Sequence, residues 1–139
     1  MMEIKQVDIE CIDVFWDRVK GWIEKVVRQT NGRHTVESTY NLLKQGTMTM
    51  FLITHKKEIT AVVVTQKVYY PAKVVLGFLF IGGKKVCRYL KEIEDYFIKY
   101  AQSLGLDIIE CCGRKGWMKV LKEQKQTMKL TGYAYEIFA

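Results

Sequence analysis

Apolar side chains recur at helical spacing near the start of the chain. They follow one another at steps of four, three and four residues, with charged side chains on the opposite face: Phe15, Val19, Trp22 and Val26. This spacing predicts an amphipathic helix that begins at Ile12 and ends near Asn31 and Gly32. Residues 4–10 alternate imperfectly between apolar and charged side chains, which predicts a short first strand.

A second, shorter helix is predicted next, because Thr35 has the hydroxyl group that helix N-caps favour and Gly46 is placed as a stop. The pattern then changes to strand alternation over residues 47–54 and 59–70. The polar residues 55–58 between these two strands predict a hairpin.

Pro71 begins another reversal, and residues 73–81 form a mostly apolar third strand with Gly77 as its candidate bulge. The middle of the chain therefore predicts an antiparallel meander of three strands. Helical spacing returns from Lys84 and stops at Gly105. Because this long helix connects the third meander strand to the next strand, it favours parallel pairing between the two.

Three further segments complete the pattern: a compact buried strand over residues 107–112, a short helix over 113–125 and a last strand or hairpin arm over 127–139. The predicted order is β-α-α-β-β-β-α-β-α-β, an α+β fold in which a mixed sheet is flanked by helices. A length of 139 residues with 49% hydrophobic residues predicts a single domain over residues 1–139.

The longest apolar run, residues 74–81, is much shorter than the roughly 20 residues that a membrane-spanning helix needs. Charged residues near the start of the chain do not match a signal peptide. We therefore expect a cytoplasmic protein without a membrane partner. The formal net charge of +7 favours acidic partners such as phosphorylated cofactors, nucleic acid or acidic proteins. Lysines outnumber arginines 17 to 5, which argues against sequence-specific recognition of nucleic acid.

The four cysteines show no C-x-x-C spacing and are expected to be buried free thiols. The two histidines, His34 and His55, are far apart in sequence, so we predict no metal site.

The order of elements resembles that of the Gcn5-related N-acetyltransferases over nearly all of the chain. In that family the fourth strand and the turn after it bind the pantetheine and pyrophosphate of acetyl-CoA, through a loop similar to Q/R-x-x-G-x-G/A. The matching stretch here keeps glycines but lacks the full signature: Phe80, Ile81, Gly82, Gly83, Lys84 and Lys85. A second segment, residues 113–117, resembles the G-R-x-G-W motif of phage-encoded proteins with this fold. That resemblance implies a phage origin and association with virion or host proteins.

The physical chemistry of the Gly82-Gly83 turn fits a phosphate group. Glycines allow a ligand to approach the backbone closely, and the amides of a first helical turn attract anions. Cations in that first turn oppose the helix dipole unless an anion is bound, and Lys84, Lys85 and Arg88 are placed there. Arg114 is a further candidate anion ligand. The alternative is a tight turn followed by a solvated basic face.

Acetyl transfer to an amine needs a base for the ammonium and an acid for the leaving thiolate. Glu110 is the candidate base, because it is a carboxylate in an otherwise apolar strand, and Cys112 or Tyr133 is the candidate acid. The alternative for Glu110 is a surface carboxylate paired to a lysine.

Two functions remain open from the sequence. The first is an acetyl-CoA-dependent N-acetyltransferase that acts on an unidentified amine or protein acceptor. The second is a non-catalytic phage scaffold that binds a virion or host protein, in either case as a monomer or a homodimer. Nonspecific binding of nucleic acid through a stripe formed by Lys115, Lys119 and Lys122 is a third, weaker option.

Overall fold

The structure, a computed structural model, describes residues 2–111 together with 137 and 138. Its helices and strands alternate much as the residue pattern predicts. They are β1 (Met2–Val7), α1 (Ile12–Val27), α2 (Val36–Lys44), β2 (Met48–His55), β3 (Glu58–Tyr69), β4 (Val74–Gly83), α3 (Leu90–Ser103) and β5 (Ile109–Cys111). Single 3-10 turns lie at Ile9–Cys11, Arg28–Thr30 and Val86–Tyr89. The helix and strand predicted over 113–125 and 127–139 fall almost entirely outside the described residues.

The described strands form one mixed sheet in the order β1-β2-β3-β4-β5. The β1–β2, β2–β3 and β3–β4 pairs are antiparallel, and the β4–β5 pair is parallel, with Leu76–Phe78 opposite Ile109–Cys111. The α3 helix is the crossover between these two parallel strands. Both the three-stranded meander and the mixed sheet are therefore confirmed.

A hydrophobic core lies on each face of the sheet, because successive residues of a strand point to opposite sides. In β2, Met50 and Leu52 pack beneath α1 and α2 with Val19, Ile23 and Leu43. The intervening residues Phe51 and Ile53 pack on the other face against Ile93, Phe97 and Ala101 of α3. Among the described helices, α1 and α2 thus cover one side of the sheet and α3 covers the other.

The start of α2 confirms the predicted cap. The Thr35 hydroxyl accepts a 2.9 Å hydrogen bond from the Ser38 amide, and the Thr35 amide donates one of 2.9 Å to the Ser38 hydroxyl. This reciprocal arrangement satisfies two backbone donors that a helix start otherwise leaves unpaired.

The β2–β3 hairpin closes with a two-residue turn formed by lysines. His55 pairs with Glu58, so Lys56 and Lys57 occupy the central positions, with φ of 51° and 68°. Both angles are positive, as the hairpin turn that matches strand twist requires. Asn and Gly are the residue types that this turn favours.

The bulge in β4 lies two residues beyond its predicted place. Val64 pairs with Phe80 and Thr65 with Phe78, so Leu79 is the extra residue. Gly77 pairs regularly with Gln66, and a β-carbon there would lie 3.0 Å from the Gln66 carbonyl oxygen. Close packing, rather than a bulge, accounts for this glycine.

The long helix begins later than its residue pattern predicts. Lys84 precedes it, Lys85 adopts a left-handed conformation with φ of 58°, and Val86–Tyr89 form a 3-10 turn before α3 starts at Leu90. The expectation that three cations lie in the first α-helical turn is therefore wrong. A residue in the left-handed conformation cannot continue a right-handed helix, so Lys84 and Lys85 both lie before α3 and not in its first turn.

The burial predicted for β5 and for the cysteines is also wrong in the described part. Glu110 and Cys111 are exposed and Ile109 is half-buried. Cys87 is an exposed free thiol and Cys11 is half-buried. Cys112 lies outside the described residues. No helix in residues 2–111 is long and apolar enough to cross a membrane.

Candidate functional site

The C-terminal part of β4 extends past its described pairing with β5. That pairing ends at Phe78, whereas β4 continues five residues further to Gly83, hydrogen-bonded to β3 alone among the described strands. The bulge at Leu79 falls where the pairing ends. A bulge bends a strand and increases its twist, so it directs this part of β4 away from the line of the sheet.

The bulge also sets the direction of the side chains along this edge. Leu79 and Phe80 both face the core under α1 and α2, and Ile81 faces the α3 side. Phe80 is buried, and its ring meets that of His34 edge-on at 5.2 Å. The Phe80 side chain is therefore buried in the core, so a ligand could contact this residue only through its backbone.

Gly82 and Gly83 are the last two residues of β4, paired with Val62 and Ala61, and are not part of the turn, where the residue pattern predicts them. Close packing explains both of them. A β-carbon on Gly82 would lie 3.1 Å from the Trp22 carbonyl oxygen of α1, and one on Gly83 would lie 2.5 Å from the Ala61 α-carbon. Gly83 also has a φ of 138°, which side chains rarely adopt. The glycines thus do not by themselves indicate a ligand, whereas the cations that follow them favour an anion.

Three exposed cations follow the glycines. The Lys84 amide donates a 2.7 Å hydrogen bond to the Thr60 carbonyl oxygen, and the Arg88 amide donates one of 3.2 Å to Lys85. These bonds fix the backbone and leave the side chains in solvent. None of Lys84, Lys85 and Arg88 forms an ion pair with a carboxylate within residues 2–111. The described turn therefore has uncompensated positive charge.

The β2–β3 hairpin adds positive charge at the same end of the sheet. His55, the last residue of β2, has its ring 6.0 Å from that of Tyr89 in the 3-10 turn. Burial lowers the pKa of His55, and the positive charges of the chain's α-amino group, Lys56, Lys85 and Arg88 lower that pKa further. The residue pattern predicts His55 in the polar connection between two strands, whereas the structure places it at the end of β2, directly before two lysines.

Glu110 lies at the other end of this edge. It is opposite Gly77 in the register of the parallel pair, and its carboxylate accepts a 2.7 Å hydrogen bond from the Tyr70 hydroxyl. No described lysine pairs with it. Gly82 is five positions further along β4 than Gly77, roughly 17 Å at strand spacing. The candidate base thus lies beside the middle of β4 and the cationic turn follows the end of β4, so the two are not in contact.

A polar cluster joins α1 to α2, which lie on the face of the sheet opposite to α3. Asp13 accepts hydrogen bonds from the Tyr40 hydroxyl and, at 2.7 Å, from the Lys44 ammonium, while the rings of Tyr40 and Trp16 lie 5.0 Å apart. The bond from Lys44, then that from Tyr40, lowers the pKa of Asp13. The same contacts with Asp13 raise the pKa of both Tyr40 and Lys44. Residue spacing gave no signal for this cluster because its members come from different helices.

Three predicted site residues, Cys112, Arg114 and Tyr133, lie outside the described residues. Within the described part, no group of three or more His, Cys, Asp or Glu side chains could hold a metal ion.

No protein-family model matches the sequence, and neither does any curated protein sequence. Solved structures do match it. A predicted acetyltransferase from Clostridium acetobutylicum, solved with acetyl-CoA, is 14% identical with a TM-score of 0.67, covering 99% of this chain and 96% of its own. An aminoglycoside acetyltransferase from an uncultured soil metagenomic sample, solved with sisomicin, is 13% identical with a TM-score of 0.70 and the same coverage.

A GCN5-related N-acetyltransferase from Ralstonia eutropha JMP134 is 10% identical with a TM-score of 0.68, and the match covers 99% of both chains. Identities this low show a shared fold. Together with the mixed sheet formed by the five described strands and the helices that flank it, these matches show that the chain has the Gcn5-related N-acetyltransferase fold.

Proposed function

We propose that the protein is an N-acetyltransferase that uses acetyl-CoA and acts on an amine. The observation that carries this proposal is the end of β4, where a bulged strand edge runs into a turn bearing three cations without a described carboxylate partner. The fold supports the proposal, since one solved protein of the same fold contains acetyl-CoA and another is an aminoglycoside acetyltransferase.

The described residues fit the cofactor in two respects. The backbone of Phe80 and Ile81 lies on a strand edge that has no described partner beyond the bulge, where an extended chain containing amide groups would find hydrogen-bonding partners. The side chains of Lys84, Lys85 and Arg88 would neutralise a diphosphate at the turn. Arg114 would add a fourth cation.

The cofactor would supply an acetyl group activated as a thioester. The protein's own task is to position the amine and to move two protons. Glu110, oriented by Tyr70, would accept the proton of the ammonium so that the amine can attack the acetyl carbon. Cys112 or Tyr133 would donate a proton to the thiolate that leaves when the carbon–sulfur bond breaks. The products are the acetylated amine and the free thiol of the cofactor.

The similarity of residues 113–117 to a phage motif supports a phage origin for this enzyme. It also motivates the competing function, a non-catalytic scaffold that keeps the fold and binds a virion or host protein. The packing of Gly82 against α1 and of Gly83 against β3 explains both glycines without a ligand. In that respect it supports the scaffold function.

Calorimetric titration with acetyl-CoA distinguishes the two functions. We expect saturable binding that the charge reversal Lys85→Glu weakens, because it replaces an attraction for phosphate by a repulsion. Lys99→Glu is the matched control, since it makes the same charge reversal at an exposed lysine in the second half of α3. A folded wild-type protein that does not bind acetyl-CoA, or that binds but acetylates none of a panel of amines, would leave the scaffold as the function.

A further inference from the structure

Three lysines at one end of the sheet have left-handed backbone conformations. Their φ angles are 51° at Lys56, 68° at Lys57 and 58° at Lys85. Side chains other than those of Gly and Asn occupy this region at a cost in free energy. Backbone geometry alone would favour Asn and Gly at the hairpin tip. The chain therefore keeps cations at positions where the backbone favours other residue types, which points to a role for the charge.

The hairpin and the turn lie next to each other. Strand β3 begins at Glu58, directly after the hairpin lysines, and a few residues later its Thr60 carbonyl accepts the hydrogen bond from Lys84. Lys57 is three residues before Thr60, roughly 10 Å at strand spacing, so the hairpin tip lies about that far from the turn after β4. The two sets of cations are close, but one phosphate group at the turn would not occupy both.

His55 lies where the two sets meet. The His55 ring lies near that of Tyr89, and His55 is paired with Glu58 across the hairpin. The positive groups that act on it come from the chain's α-amino group, from the hairpin and from the turn: Lys56, Lys85 and Arg88. These surroundings disfavour a further positive charge on His55 in the unliganded protein. A bound anion would reverse that balance and favour the protonated imidazole.

We propose that the basic cluster, defined as His55, Lys56, Lys57, Lys84, Lys85 and Arg88, binds a ligand with phosphate groups at two separate positions, and that His55 takes up a proton as the ligand binds. The turn holds a diphosphate and the hairpin tip holds a phosphomonoester. The proton comes from the solvent and goes to the imidazole, so no bond of the ligand breaks. The proposal deepens the acetyl-CoA function and rests on it only for the identity of the ligand.

The variant Lys56→Asn/Lys57→Gly separates binding from folding. It removes two charges and gives the turn its favoured residues, so stability should rise while affinity falls. We expect acetyl-CoA to bind about five- to tenfold more weakly, and dephospho-coenzyme A, which lacks the phosphomonoester, to lose less than about twofold. Calorimetry and urea unfolding measure the two quantities. Lys99→Gln is the control and should change neither.

Proton uptake is measured by calorimetry near pH 7 in two buffers of different ionisation enthalpy. The wild type should take up a fraction of a proton on binding acetyl-CoA, and His55→Gln should abolish that uptake. Equal affinities of the wild type and the hairpin variant for acetyl-CoA, or uptake that persists in His55→Gln, would overturn the basic cluster while leaving the cofactor function intact. Binding of adenosine 3′,5′-bisphosphate, whose two phosphates are separate, with His55-dependent uptake but no binding of acetyl-CoA, would support the cluster and overturn the transferase. A protein that binds neither ligand would refute both.

Discussion

Gly83 packs directly against Ala61, and a β-carbon on Gly83 would lie 2.5 Å from the Ala61 α-carbon. This contact joins the last residue of β4 to the start of β3, and the adjacent hydrogen bond from Lys84 to Thr60 extends it. The turn that carries the candidate phosphate ligands therefore has a position fixed by backbone packing rather than by the glycine's flexibility.

Gly83→Ala should consequently destabilise the protein. The new methyl group would meet the β3 backbone, and φ of 138° is strained for any side chain, so we expect a loss of about 2–4 kcal/mol in the free energy of unfolding. Urea denaturation measures it. The matched control is Gly21→Ala, because Gly21 lies within α1 with no atom near the added carbon. Alanine there should stabilise by about 0.5–1 kcal/mol. A loss in Gly83→Ala no larger than about 0.5 kcal/mol would contradict the packing account.

The contacts of Asp13 with Tyr40 and Lys44 should make the attachment of α2 to α1 dependent on pH. The pKa of Asp13 is lowered by these partners, so its contribution to stability is complete above the unfolded value of about 3.9 and is lost as pH falls through the folded value. The pKa values of Tyr40 and Lys44 are raised, so their contribution is complete below about 10 and is lost as pH rises through their folded values.

Asp13→Asn tests this dependence. Its urea midpoint should be lower than that of the wild type at pH 7, and the difference should shrink at pH 3 and again above pH 11. Asp17→Asn, one turn further along α1 and exposed, is the matched control and should leave the midpoint nearly unchanged. A difference between Asp13→Asn and the wild type that is the same at pH 3 and pH 7 would show that the ionised carboxylate does not carry the contact.

Local spacing and caps were enough to predict α1, α2 and the hairpin. The four-three-four spacing from Phe15 and the hydroxyl of Thr35 act within a few residues, so they can be read without knowing the fold. The bulge at Leu79 could not be placed in this way, because it depends on which residues of β3 and β4 pair. Likewise, the late start of α3 follows from the left-handed conformation of Lys85, which residue type does not reveal.

The candidate site was predictable in part. The glycines and the cations that follow them were identified from sequence, whereas the partner of Glu110, Tyr70, is 40 residues away and belongs to another turn. His55 joins the cations only through the register of the hairpin. The features of the site that could not be predicted from sequence therefore depend on contacts between segments that are distant in sequence.

The core beneath α3 should depend strongly on Phe97. Its ring meets Phe51 edge-on at 4.8 Å and Phe78 at 5.2 Å, so it joins α3 to both β2 and β4. We expect Phe97→Ala to cost about 3–5 kcal/mol in the free energy of unfolding, measured by urea denaturation. Ile98→Ala is the control at the next position, where the side chain is 38% exposed, and should cost less than about 1 kcal/mol. Equal losses in the two variants would contradict the placement of α3 on the sheet.

Glu110→Gln tests the candidate base. Glutamine keeps the shape and can still meet the Tyr70 hydroxyl, but it cannot accept the proton of an ammonium. With an amine substrate identified from a panel, we expect kcat to fall by about 10²- to 10³-fold while the affinity for acetyl-CoA stays unchanged. Tyr70→Phe removes only the bond that orients the carboxylate, so we expect a smaller decrease in kcat. Glu92→Gln, an exposed glutamate of α3, controls for the loss of a negative charge and should leave kcat unchanged. If Glu110→Gln retained wild-type kcat, another group or a water path would have to deprotonate the amine, and the contact of Glu110 with Tyr70 would be a structural link between β5 and the end of β3.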